Sequence, residues 1–259
     1  MFEKMLLRKK VLYFRYAPPL TDLDEVSEDH LPNRPYPLAK KYERSVYFYW
    51  WAFLRENETY ISCCDEGGAG VMSRLYADFG DVRGESFMDW WTSGARLLFC
   101  EPPEAEIISY LSSPTEPVGE DRVLLSIPVT GDIERTMAEL RKRLQKAFAF
   151  ARQRRQQGAL ASNSFSLAAY PVFTKPVLTA LHERLLALRA RKANPDASLY
   201  EIGVITGVAQ RTSGSRDDAD HRNRVMAAVS RSLREAKWLV HNVGEGRFPD
   251  TARPKSNMS

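Results

Sequence analysis

The apolar and polar positions along the chain alternate with mainly helical periods. Ser45 to Asn57 predicts a helix, with Ser45 as its cap. Tyr47-Phe48-Tyr49-Trp50-Trp51-Ala52-Phe53-Leu54 is apolar nearly all round, so this helix is expected to be central and buried on several sides. Asp132 predicts the start of a long helix to about Gln157. Its apolar residues Ile133, Met137, Leu140, Leu144, Phe148 and Ala151 fall on one face. Pro176 opens a further helix lined by Val177, Leu181, Leu185 and Leu188. Ser198-Leu199-Tyr200-Glu201 is a capping box for a short helix ending near Gly207. The last helix is predicted from about Arg222 to Asn242, with Val225, Val229, Leu233, Ala236, Val240 and Val243 on one face and Gly244 as its C-terminal cap.

Other stretches read differently. Val11–Tyr16, Arg96–Cys100 and Val123–Val129 are short apolar runs and predict strands. Phe87 to Thr92 predicts a short helix, and Gln210 to Asp220 a polar loop. Pro18, Pro19, Pro32, Pro35 and Pro37 make residues 1–42 an extended arm on the body of the protein. The expected fold is therefore α+β: a small α/β layer with a buried aromatic helix, followed by a mainly helical C-terminal part. The expected division is an α+β domain over 1–157 with the arm at its start, a Gly/Ser-containing linker over 158–170, a basic helical domain over 171–249, and a loose tail over 250–259.

Charge sharpens this picture. The net charge of +4 hides an asymmetry, because residues 1–130 hold 14 Lys+Arg against 21 Asp+Glu, and residues 131–259 hold 23 against 12. The basic second half implies either an anionic partner or a surface facing the acidic first half. On the last helix Arg224, Arg231 and Arg234 fall opposite the apolar stripe, with Lys237 to one side. The helix from Asp132 adds Arg141, Arg143, Arg154 and Arg155 among its basic residues. Arginine suits phosphates and guanine edges, so these eight residues are the candidate contacts to DNA or RNA. A short helix, a turn at Gly207 and a longer Arg-bearing helix follow helix-turn-helix order, although the gap between the two helices exceeds that of a true one.

Two other function classes stand beside nucleic-acid binding. Asp78, Asp81, Glu85 and Asp89, near Glu101, could hold Mg²⁺ for a metal-dependent nuclease or another phosphodiester enzyme. The Lys that such a nuclease carries on the strand after its Asp is missing. Alternatively, Trp90-Trp91 and the Tyr-Trp block form an aromatic patch for a protein partner. No catalytic residue, metal site or cofactor is assigned. The cysteines Cys63, Cys64 and Cys100 lack ligand spacing, as do His30, His182, His221 and His241. Asp78-Phe79-Gly80 lacks the glycine-rich loop and His-Arg-Asp loop of a kinase. No apolar run approaches the roughly 20 residues that span a bilayer, and none follows the basic start at Lys4 to Lys10. With sparse cysteines, this predicts a chain of the cytoplasm without membrane contact.

The order Tyr49-Trp50-Trp51, Leu54, Asn57, Tyr60, then Tyr76-x-Asp78-Phe79-Gly80-Asp81-Val82, Phe87, Trp90-Trp91 and Leu98-Phe99-x-Glu101 resembles a pattern in uncharacterised proteins of phages and bacterial mobile elements. The similarity extends to Tyr200-Glu201-Ile202-Gly203 and Asn242-Val243-x-x-Gly246-x-Phe248-Pro249, and so spans most of residues 45–249. The resemblance implies a prokaryotic, cytoplasmic setting and attaches no activity or site residues.

Overall fold

A computed structural model describes residues 12–84, 86–101, 132–157, 168–215 and 218–254, with the side chains of the long helix to residue 145. The chain forms two compact units, one of residues 1–103 and 166–259 and the other of residues 104–165.

The first unit is built around α1 (Val46–Leu54). The Ser45 hydroxyl accepts from the Tyr47 amide at 3.4 Å and starts the helix. Every residue of α1 except Phe48 is buried, as an all-round apolar helix requires. Rings from distant parts of the chain pack on it. Around Trp50 lie Phe99 at 5.0 Å, Phe248 at 5.5 Å, Tyr170 at 6.1 Å and Phe79 at 6.2 Å between centroids.

The next helices close the aromatic core. They are α2 (Glu58–Asp65), α3 (Ser73–Phe79), α4 (Phe87–Trp90) and α5 (Arg96–Phe99), the last two joined by a π-helical turn over Trp91–Ala95. Asn57 does two things here. Its Oδ1 accepts from the Tyr60 amide at 3.0 Å and caps α2, while its Nδ2 donates to the Val240 carbonyl at 2.7 Å. Asn57→Ala removes both bonds at a 5% exposed position and should cost about 1 kcal/mol in chemical denaturation, in line with loss of an N-cap. A cost under a few tenths would mean that water replaces both bonds.

The expected α/β layer is corrected. Arg96–Phe99 is helical, and the described residues show only two isolated bridges, Tyr13 with Glu101 and Val172 with Phe248. The reason is visible in burial. Trp91, Ala95 and Phe99, spaced by four, are buried, while Leu97 is 57% exposed. That is a helical face, and it begins before the apolar run that suggested a strand. The predicted strand Val123–Val129 lies outside the described residues.

The helices α7 (Leu178–Ala193), α8 (Leu199–Ile205), α9 (Val208–Arg211) and α10 (Ala219–Gly244) follow, after α6 (Ile133–Gln157) of the other unit. The capping box forms: the Ser198 amide donates to Glu201 at 2.6 Å and the Glu201 amide to Ser198 Oγ at 3.2 Å. Ala187, Ala190, Ile202, Ala209, Val225, Val229 and Leu233 make a small second cluster between α7, α8, α9 and α10. Gln210–Asp220 is not wholly loop, since α9 extends to Arg211. Gly244 is still helical, and the chain turns instead at Gly246, with φ of +70°.

Apolar residues from both sides of the expected division at 158–170 share one cluster. Leu181, Leu185 and Leu188 of α7, and Ala236, Leu239 and Val243 of α10, belong to the same buried cluster as α1. Aromatic residues of the first half and apolar stripes of the last helices each need a partner surface, and they supply it to one another. The arm also belongs to this unit. Buried Arg44 donates to the Pro32 carbonyl and to Glu28, both at 2.5 Å, and Tyr36 stacks on His182 at 4.2 Å.

The other unit contributes α6 (Ile133–Gln157). Asp132 caps it, accepting from the Arg135 amide at 2.9 Å. The linker residues 158–167 and the tail from 255 lie outside the described residues.

Candidate nucleic-acid interface

The geometry of α10 sorts its residues into two faces. His221, Val225, Val229, Leu233, Ala236, Leu239 and Val243 are buried. Arg224, Arg231, Arg234, Lys237 and His241 are exposed. A 26-residue helix packed along one side must present its other side outward, and here that side is basic.

The individual cations differ. Arg224 donates to the Ser213 carbonyl at 2.9 Å and lies 3.9 Å from Asp218, so it fastens the loop before α10. Arg231 and Lys237 have no ion-pair or hydrogen-bond partner among the described residues. The Arg234 guanidinium lies over the Trp238 ring at 5.6 Å. Glu235 is turned to the flank, where Arg184 holds it at 2.6 Å. From Arg231 to His241 the outward face of α10 therefore presents no carboxylate of its own. Trp238 and His241 were not among the sequence candidates. Their signal was the spacing 231, 234, 238 and 241, which sets four side chains on one ridge.

On α6, Arg141 and Arg143 are exposed, and Arg143 pairs with Glu139 at 3.2 Å. The side chains of Arg154 and Arg155 lie outside the described ones.

The helix-turn-helix order is present only in outline. Gly207 makes the turn with φ of +74°, but α9 after it is four residues long. The longer helix begins with Asp218 as its cap and Asp220 in its first turn. A recognition helix reads bases from its N-terminal residues, and carboxylates there repel phosphates.

The acidic residues are dispersed. Asp78 accepts from the Tyr170 hydroxyl at 2.5 Å. The Asp81 carboxylate is held by Arg83 at 2.7 Å, and that charge-assisted bond holds its pKa down to about 2. Arg83 also pairs with Asp65 and donates to the Cys64 carbonyl. Asp89 bonds Ser86, which caps α4. Glu85 lies outside the described residues. Among the described residues no three His, Cys, Asp or Glu side chains converge on a metal position. The histidines stay apart: His221 is buried and bonded to the Ala209 carbonyl at 3.1 Å, while His182 stacks on Tyr36 and burial lowers its pKa. The three cysteines are free thiols, two of them buried.

The aromatic blocks are interior. Trp50, Trp51, Trp90 and Trp91 are all buried, and Trp90 Nε1 donates to the Phe79 carbonyl at 2.8 Å. They offer no docking patch. Among the described residues no helix is long and apolar enough to cross a membrane. No family model, curated protein or solved structure matches this chain.

Proposed function

We propose that the protein is a nucleic-acid-binding accessory protein that contacts phosphates through the outward face of α10. The observation that carries this reading is the placement of Arg231, Arg234 and Lys237 within two turns of one exposed face, with the neighbouring carboxylate Glu235 neutralised by Arg184. Unpaired exposed cations bind counter-anions, and a polyphosphate backbone gains by releasing its own condensed cations. Arg224 has its own contacts and acts as support for the loop before the helix. Arg141 and Arg143 give α6 a basic surface of its own. The resemblance to proteins of phages and mobile elements supports a cytoplasmic setting, where such a partner is at hand.

The test is fluorescence anisotropy of the full chain against labelled DNA at several salt concentrations. Binding should weaken steeply with salt, with a log–log slope of about −0.9 per phosphate neutralised on duplex DNA and about −0.7 on a single strand. Arg231→Ala should reduce the magnitude of that slope by about one contact's worth without changing the melting temperature, because the side chain is exposed. Absence of binding at about 50 mM salt, where phosphate contacts are strong, would remove the reading.

A further inference from the structure

Trp238 stands apart from the other four tryptophans of the chain. Trp50, Trp51, Trp90 and Trp91 belong to the main buried cluster, whereas Trp238 belongs to neither cluster and is partly exposed. It sits on the ridge of Arg231, Arg234 and His241, with Lys237 beside it and the Arg234 guanidinium over its ring. The ridge from Arg231 to His241 runs over ten helical rises, about 15 Å. An indole set among cations offers two things together: charge for a backbone and a flat face for a base.

Duplex DNA cannot use the second of these on a helix flank, because its bases are stacked and present only their edges. Groove entry by the start of α10 is opposed by Asp218 and Asp220, while Arg222 lies over the Tyr200 ring at 4.8 Å and Arg224 is engaged with Ser213. A single strand has exposed base faces and a flexible backbone that can follow the flank. We infer that the α10 ridge takes a single-stranded nucleic acid, DNA or RNA, with phosphates on Arg231, Arg234 and Lys237 and a base stacked on Trp238. This deepens the phosphate-contact reading above and rests on it.

The experiment uses the full chain with oligonucleotides of about 20 nucleotides, longer than the largest site of one single-strand-binding fold. Three probes of one mixed sequence are compared: single-stranded DNA, single-stranded RNA and the DNA duplex. Four tryptophans are buried, so a change in protein emission on binding reports Trp238. Both single strands should quench that emission, and the duplex should bind more weakly without quenching. Trp238→Ala should lose about tenfold in single-strand affinity, within the range of one lost base stack, while Trp238→Phe keeps most of it. The tighter of the two single strands identifies the source. Single strands that bind without quenching, or a duplex that binds as tightly as they do, would overturn the inference and leave the phosphate reading standing. The wild-type quenching measurement decides the matter even where Trp238→Ala folds poorly. Failure of all three probes to bind at about 50 mM salt would remove both.

Discussion

Trp50→Ala should lower the free energy of unfolding by about 3–5 kcal/mol, the range for truncating a large buried aromatic side chain. Trp50 is 0% exposed, and its ring meets Phe79, Phe99, Tyr170 and Phe248. Its Nε1 has no hydrogen-bond partner among the described residues, so truncation forfeits none of their hydrogen bonds. The loss comes from apolar transfer and from the cavity left behind. Rings from three separate stretches of chain, near residues 79–99, 170 and 248, line that cavity, and none can collapse into it without pulling its own segment. Guanidinium unfolding followed by circular dichroism and by fluorescence measures the change. Arg231→Ala is the internal comparison, expected within about 0.5 kcal/mol of the parent because its side chain is exposed. A loss under about 1 kcal/mol for Trp50→Ala would contradict a core centred on α1.

Gly203→Val should be the second most damaging change, at about 3 kcal/mol, the upper part of the usual cost of overpacking. A Cβ at Gly203 would stand 2.3 Å from Val225 Cγ1 and 3.3 Å from Val229 Cγ2. Val225 and Val229 are both fully buried, and a β-branched side chain has few rotamers to retreat into. The only relief is to push α8 away from α10. Backbone conformation is not the issue, since Gly203 lies within the helical turns of α8. The steric origin can be separated from any propensity effect by a double-mutant cycle. Val225→Ala should restore at least about 1 kcal/mol to the Gly203→Val protein, a coupling typical of residues in contact. Additive losses in the cycle would place the damage elsewhere than the α8–α10 contact.

Both residues occur in stretches that the sequence singled out, and their roles show how far a sequence reaches. The all-round apolar run of α1, the capping box at Ser198, the cap at Asp132 and the apolar stripe of the last helix were legible, because each is set within a turn or two by bonds and spacings along the chain. The stretch 96–99 was misread for the same reason in reverse. A four-residue apolar run has no period of its own, and its helical face becomes apparent only when Trp91 and Ala95 are counted with Phe99.

The candidate interface divides along the same line. The sequence by itself determined that α10 is amphipathic and that its outward face is basic. It could not determine which of those charges remain available. Pairing is a matter of neighbours brought in from elsewhere in the chain: Arg184 of α7 takes Glu235, Ser213 takes Arg224, and Tyr170 takes Asp78 across 92 residues of sequence. The same holds for the tryptophans, of which Trp50, Trp51, Trp90 and Trp91 are buried and Trp238 is partly exposed. Residues 46–99 and 172–248 share one core because neither set can bury its apolar surface alone, a condition of area that no local pattern expresses. Periodicity decided which residues point together; only the tertiary structure decided which of them remain exposed and uncompensated.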